Sequence, residues 1–339
     1  MRAIYINKPG GMEVFEIREV PEPQLGPNDV NIRVKASGIN FADVLARQGI
    51  YPDAPAFPCV VGYEVAGIVE SAGSAVDAKW KGKEVLALTD FGGYAEVCKC
   101  DVRYVWEKPR ALSFETAAAI PLNYITAWGL LIAMGGLSRG DTVLIHNAGG
   151  GVGLAALDIA LHAGARSIGT ASARKHEFLK SRGCSDCVDY TRPDWPAEVL
   201  RLTGNKGVEL AIDPIGGKNW AQTYSVLRPT GRVGMFGISA AAVGGFKAKL
   251  GLLKLVLGAP FFHPLKLIPG NRGAFGINIH SMYGEHEKFS AWMAEILRGV
   301  AAGWARPHVD KVFKFSEVGA AHAYIEGRGN VGKVLLVPN

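Results

Sequence analysis

One stretch of this sequence limits the fold more than any other. Residues 142–146 read as a short apolar strand and residues 152–162 as a helix. Between them stands Ala148-Gly149-Gly150-Gly151-Val152-Gly153, which fits A-x-G-x-x-G at positions 148, 150 and 153. Small residues are needed here if the turn is to be tight, admit a pyrophosphate to the backbone, and leave the N–H groups at the positive end of the helix free. Glycine-rich turns occur wherever strands meet helices, so the setting carries the weight. Here the alternation continues, with strands at 166–170, 208–212 and 232–236 and a helix at 174–182. That rhythm predicts an α/β domain with a parallel, doubly wound sheet.

The flanks have a different texture. Residues 1–110 hold short alternating runs at 30–34, 64–69, 84–88 and 95–97, separated by Gly and Pro, which suits a β-barrel-like domain. Ser113 stands two residues before Glu115 as a helix N-cap, and longer Ala-rich segments follow. After Ser239 the rhythm breaks into a Gly-punctuated, Leu-rich segment with Lys247, Lys249 and Lys254, and residues 331–337 return to a β-like run. The expected organisation is a β-domain of residues 1–120 and 265–339, interrupted by a nucleotide-binding domain of residues 121–264.

A length of 339 residues suits about two domains. The formal charge of +6 is too small to argue for nucleic-acid binding, but it suits an anionic ligand. Five cysteines do not form an even disulfide framework. Cys98 and Cys100 alternate in a strand-like run and are expected on one face. Cys184 and Cys187 form a CxxC with no second ligand pair at zinc spacing. No stretch reads as a signal peptide or as the ~20 apolar residues of a membrane span, so a cytoplasmic protein is expected.

The end of the second strand of the doubly wound unit distinguishes nicotinamide cofactors. An acid is expected there where a ribose 2′-hydroxyl is bound. This chain has Gly169-Thr170-Ala171-Ser172-Ala173-Arg174-Lys175 instead. The hydroxyls of Thr170 and Ser172 and the cations Arg174 and Lys175 suit a 2′-phosphate, which points to NADPH. A solvated helix start is the competing reading of the two cations.

The sequence resembles the medium-chain dehydrogenase/reductase superfamily over essentially its whole length. The resemblance rests on Gly62-Tyr63-Glu64-Val65-Ala66-Gly67-Ile68-Val69, on Ala148 through Gly153 and on Gly332-Lys333-Val334-Leu335-Leu336-Val337-Pro338. Ser37-Gly38-Ile39-Asn40-Phe41-Ala42-Asp43, Arg47-Gln48-Gly49-Ile50-Tyr51-Pro52 and Leu122-Asn123-Tyr124-Ile125-Thr126-Ala127 are similar to motifs of its zinc-free quinone oxidoreductases. Residues 169–177, 212–217 and 330–338 are closer to the vesicle amine transport protein branch. The resemblance implies a GroES-like barrel, a Rossmann domain and an NADPH-dependent reductase of quinones or α,β-unsaturated carbonyl compounds. Zinc enzymes of the superfamily carry Cys where Asn40 stands and His where Tyr63 stands, and the four-cysteine lobe is missing between Glu84 and Val97, so no metal is expected.

Carried over by position, Asn40 and Tyr51 lie beside the nicotinamide and Tyr63 lines the cleft. Tyr51 is the candidate proton donor, although it also suits a loop before Pro52, and Asn40 also suits a helix cap before Phe41. Gly149, Gly150, Gly151, Val152 and Gly153 hold the pyrophosphate; Thr126, Tyr190, Phe236, Gly237, Ile238, Ser239, Phe275, Gly276, Ile277 and Asn330 complete the cofactor site. A small electrophile is the expected partner. A homodimer is expected through the sheet edge just beyond residues 232–236. The alternative function is an NADPH-binding protein with little reductase activity that touches anionic membrane through residues 250–257 and their lysines. A lid or subunit contact is the stronger reading of that segment, since Gly251 and Gly258 weaken a helix.

Overall fold

The computed structural model describes residues 1–242 and 248–339, without the side chains of 248–250 and 266. The first part is β-rich: β1 (Arg2–Ile6), β2 (Phe15–Glu19), β3 (Asp29–Ile39), β4 (Glu64–Ala72), β5 (Glu84–Leu88), β6 (Val97–Asp101) and β7 (Val105–Glu107). It also holds α1 (Phe41–Arg47) and, at its end, α2 (Phe114–Ala118) and α3 (Pro121–Trp128). The doubly wound part follows with β8 (Thr142–Ile145), α4 (Gly151–His162), β9 (Arg166–Ala171), α5 (His176–Ser181), β10 (Asp186–Asp189) and α6 (Trp195–Leu202). It continues through β11 (Val208–Asp213), α7 (Lys218–Ser225), β12 (Leu227–Met235), α8 (Ala248–Gly258), α9 (Pro264–Gly270) and β13 (Gly273–Gly276). The chain closes with α10 (His286–Ala302), β14 (Val309–Lys314), α11 (Val318–Glu326) and β15 (Lys333–Val337).

β3 organises the barrel. Its first half pairs β6, its last residues pair β15, and β4 runs along it antiparallel, with register shifts at Asn31/Ile32 and Val34/Ala36. Such irregularities bend a strand so that it can serve several neighbours. Gly67 lies where a side chain would strike the Arg33 carbonyl, so β4 can approach β3 closely there only as glycine. Cys98 and Cys100 share a buried face as expected, while the run expected at 95–97 begins instead at Val97.

The other sheet has the order β10-β9-β8-β11-β12-β13, every pair parallel. That is the strand order of a dinucleotide-binding sheet. Two expectations need correction. Gly273–Gly276 belongs to this sheet, so the nucleotide-binding domain extends past residue 264. The outer edge is therefore β13 and not β12, which β13 covers.

Phe114–Ala133 is also long and apolar enough to cross a membrane, contrary to the sequence reading, but 72% of it is buried inside the fold. Its Tyr124 and Ile125 join a core that runs from Val65 and Leu86 of the barrel to Val143 and Leu154 of the sheet domain. α4 is fixed to this core by Asp158, which is fully buried. Its carboxylate accepts from the Tyr124 hydroxyl at 2.7 Å, the Arg182 guanidinium at 3.0 Å, the Arg306 amide at 2.8 Å and the Arg306 guanidinium at 2.9 Å.

Candidate nucleotide and substrate site

The carboxyl ends of β8, β9, β11, β12 and β13 converge where a doubly wound sheet binds its ligand. The turn between β8 and α4 starts at Asn147, whose φ of 51° is left-handed. A Cβ on Gly150 would stand 2.7 Å from Asn147 Nδ2, one on Gly151 2.6 Å from Asn123 Oδ1, and one on Gly149 2.8 Å from Lys175 Cδ. A Cβ on Gly153 would overlap the Asn147 carbonyl. The loop is a glycine-lined cradle, closed to a side chain by backbone at Gly153 and crowded by side chains at the other three, and Val152 lies in the first turn of α4 behind it.

Lys175 lies across this cradle. It is only 7% exposed, and its ammonium donates to the Asn330 carbonyl. Burial first, then Arg174, pulls its pKa below the usual lysine range. The Asn330 loop is itself tied to the cradle, since the Gly332 amide donates to the Gly149 carbonyl at 2.8 Å. Arg174 donates to the Arg328 carbonyl at 2.9 Å. Lys175 is therefore no solvated helix start. Ser172 sits between β9 and this turn, and Tyr190 follows directly after Asp189, which pairs Ala171 across the two strands.

Thr170 does not fit the expectation made for it. It is fully buried, with its hydroxyl 3.0 Å from His146 Nδ1. His146 Nε2 lies 3.0 Å from the Thr223 hydroxyl, which donates to Asp213 at 2.7 Å. Side chains alternate along a strand, so with Ala171 at the cofactor end Thr170 faces the opposite side. It braces the sheet. Thr126 is buried on α3. Phe236, Gly237, Ile238 and Ser239 follow the end of β12, and the Ile277 amide donates to the Met235 carbonyl at 2.9 Å, which sets Phe275 and Gly276 beside them.

At the barrel side Asn40 is the N-cap residue of α1, and its amide donates to Asp43 at 2.8 Å. Its side chain does something else: it donates to Glu64 at 3.0 Å and accepts from Lys333 Nζ at 2.5 Å. Lys333 also pairs with Glu64, both almost wholly buried, and Glu64 accepts from the Leu122 amide at the start of α3 at 2.8 Å. Neither Glu64 nor Lys333 stood out in the sequence as a site residue. Burial pushes Asp43 up to about 7, against the hydrogen bonds it receives from Asn40 and Gly62.

Tyr51, on the loop after α1, packs in one apolar cluster with Leu45, Ile50, Ile238, Ala241 and Leu255. The cluster joins barrel, end of β12 and inner face of α8, so α8 covers this end of the cleft. Tyr63 stands behind Tyr51, ring centroids 6.0 Å apart, and its hydroxyl is buried. Burial raises both phenols above the ordinary tyrosine range, and for Tyr51 the neighbouring Tyr63 offsets part of the rise. Two surface hollows of about 520 Å³ and 390 Å³, beside Met12 and beside Arg33, lie on the barrel away from these groups.

A Rossmann sheet with a glycine cradle, joined to a GroES-like barrel that places polar side chains across its carboxyl edge, defines a nicotinamide-type oxidoreductase architecture. Residues 26–110 match the alcohol dehydrogenase GroES-like domain family, and residues 182–336 match the zinc-binding dehydrogenase family. The human synaptic vesicle membrane protein VAT-1 homolog is 35% identical over 100% of this chain and 86% of its own length. The quinone oxidoreductase of Escherichia coli, solved in complex with NADPH, superposes with a TM-score of 0.88 at 28% identity over 100% of both chains. The CurK enoyl reductase has a TM-score of 0.84 at 28% identity over 100% of this chain and 99% of its own. The chain belongs to the medium-chain dehydrogenase/reductase superfamily, within its quinone oxidoreductase group.

The zinc named by the second matching family does not fit the donors here. Asn40 and Tyr63 are poor zinc ligands, Tyr63 is held protonated by burial, and the Lys333 ammonium already occupies Glu64 and Asn40. A dinucleotide suits the glycine-lined turn between β8 and α4, where the N-terminus of α4 can meet a pyrophosphate.

Proposed function

We propose that the protein is an NADPH-dependent, zinc-independent reductase of quinones or α,β-unsaturated carbonyl compounds. The observation that carries this reading is the apolar cluster of Leu45, Ile50, Ala241 and Leu255, against which both Tyr51 of the barrel and Ile238, just past the end of β12, pack. Gly149, Gly150, Gly151 and Gly153 would hold the pyrophosphate, Ser172, Lys175 and Tyr190 the 2′-phosphate, and residues 236–239 and 275–277 the nicotinamide end. When bound, NADPH supplies a hydride, which with one proton reduces a quinone to its hydroquinone or an enone to its saturated carbonyl. Tyr51 is the group that can hand a proton or hydrogen bond to the substrate oxygen, and its raised pKa keeps it protonated at neutral pH. Asn40, Glu64 and Lys333 fix the wall next to it. The test is a panel of quinones and enones followed by loss of nicotinamide absorbance. Turnover of at least one class is expected, and Tyr51→Phe should lower kcat roughly 100-fold, at the low end of general-acid effects. Silence on the whole panel, with NADPH still bound, defeats the proposal.

A second reading is favoured by one surface. Leu253, Val256 and Leu257 on α8 and Phe261, Leu265 and Ile268 beyond it are each more than half exposed. From Pro214 to Gly284 the chain carries eight Lys/Arg and no Asp or Glu. Exposed apolar groups on a cationic segment suit an anionic lipid surface, and several relatives are named vesicle membrane proteins. Of the lysines expected to flank the apolar run, Lys254 is exposed, Lys247 lies outside the described residues, and the side chain of Lys249 is not among those described. The same surface leads directly into the β13 edge, where a second copy would pair strands. Liposome flotation and light scattering separate the occupants. Charge-dependent flotation that Lys254→Glu weakens supports lipid; a dimeric mass without flotation supports the second copy.

A further inference from the structure

The CxxC of Cys184 and Cys187 takes no part in the proposed reduction, yet it lies under the nucleotide cradle. Cys187 pairs Gly169 across β10 and β9, and residues opposite each other in a sheet point to the same face. Cys184, in the loop before β10, reaches that face too. A Cβ on Gly169 would stand 3.0 Å from Cys184 Sγ and 2.9 Å from the Cβ of Ala148, the residue that opens the cradle. The missing side chain at Gly169 lets Ala148 and Cys184 both come in over the strand. Two residues further along β9, on the same face, is Ala171 at the ribose end of the site.

The two thiols are also joined to each other and to the turn that carries Lys175. The Cys187 thiol donates to Cys184, which pulls Cys184 down to about 7 and pushes Cys187 up, so a large share of Cys184 is thiolate at neutral pH. Burial pushes Cys59, Cys98 and Cys100 the other way. Cys184 is 5% exposed, but Cys187 is only half-buried and leaves the pair open to a small reagent. Cys187 Sγ lies 3.7 Å from the carbonyl of His176, the first residue of α5, and His176 Nε2 lies 3.0 Å from the Ala171 carbonyl. Lys175 immediately precedes His176.

We propose that Cys184 and Cys187 are a peroxide-sensitive dithiol whose oxidation to a disulfide loosens the dinucleotide site. The Cys184 thiolate attacks one oxygen of hydrogen peroxide and the O–O bond breaks. Cys184 becomes a sulfenic acid, and the departing hydroxide takes up a proton as water. The Cys187 sulfur then attacks the sulfenic sulfur, the S–O bond breaks, and that hydroxide leaves with the Cys187 proton as a second water. Two electrons pass from the sulfurs to the peroxide, and a dithiol reductant returns them by exchange. A disulfide holds its sulfurs about 2.05 Å apart at a fixed dihedral, so Cys187 must give up the His176 carbonyl. The start of α5, and Lys175 with it, then loses one of its holds. The effect on NADPH rests on the reductase reading; the oxidation itself does not.

The experiment treats wild type, Cys184→Ser and Cys187→Ser with a small excess of hydrogen peroxide, blocks the remaining thiols and weighs the peptides. In wild type the free thiols should fall from five to three, the peptide that spans both cysteines should lose two hydrogens, and dithiothreitol should restore them. NADPH affinity, titrated by fluorescence, should fall severalfold in the oxidised wild type and recover on reduction. Peroxide should leave the affinity of both serine variants unmoved, which separates the disulfide from oxidation elsewhere in the chain. Earlier loss of Cys59, Cys98 or Cys100, a sulfonate in place of the disulfide, a link between chains, or a disulfide that leaves affinity unchanged overturns the proposal. If reduced wild type binds no NADPH, the cofactor reading fails by itself. Hydrogen exchange at residues 148–153 and 172–176 then takes the place of affinity, and it must quicken on oxidation or the switch fails too.

Discussion

Asp158→Ala is expected to destabilise the protein by about 3–5 kcal/mol, seen as a lower urea midpoint with an unchanged slope. The reason is the position of the carboxylate. Asp158 is fully buried on the helix that follows the glycine cradle, and it is the shared acceptor for Tyr124, Arg182 and Arg306. Removing it leaves two neighbouring guanidinium groups without their shared anion, Arg182 with 14% of its side chain exposed and Arg306 with 36%. Breaking a buried ion pair by deleting one partner costs far more than the pair itself contributes, because the remaining charge stays desolvated. Asp158→Asn keeps the shape and part of the hydrogen bonding and should lose less. A loss below about 1 kcal/mol for the alanine variant would show that both arginines reach water, and that α4 is held by apolar packing alone.

The other large effect concerns the choice of nucleotide. Wild type is expected to bind NADPH more tightly than NADH, Lys175→Ala to weaken NADPH by about 1–3 kcal/mol, and Ala171→Asp to close or invert the preference. Lys175 is already desolvated over Gly149, held by a backbone carbonyl and not by an anion. A phosphate arriving there would give the ammonium the charged partner it lacks. Ala171 is the last residue of β9, where an acid would accept the two ribose hydroxyls, and a carboxylate at this point would repel a 2′-phosphate. Titration of the three proteins with both nucleotides decides the matter. Equal wild-type affinities would mean that the contact between Lys175 and Asn330 serves the fold and not the ligand.

Local patterns carried much of this protein. β5 occupies 84–88 as expected, Ser113 caps α2 by accepting from the Thr116 amide, and the cradle sits between β8 and α4. What failed was what local pattern does not encode. β13 is Gly-Ala-Phe-Gly, with no β-branched residue to mark a strand, so the sequence pattern puts both the domain boundary and the sheet edge too early. Thr170 has the right chemistry for a phosphate, but strand alternation turns it to His146. The pair Glu64 and Lys333 comes from segments far apart in the chain. Only the closed topology brings them together.

The pairing of β15 with β3 also sets an order of events during synthesis. The strands of the nucleotide-binding sheet are contiguous in the chain, from Thr142 to Gly276, and all of them leave the ribosome before residue 333 does. β3 emerges before this sheet, yet one of its partners, β15, emerges after it. Domains tend to fold as units as they appear, and pairings between distant segments are slow. The barrel must therefore wait with an open strand edge while the sheet domain folds. An open strand edge is the kind of surface that exposes a nascent chain to aggregation until its partner arrives.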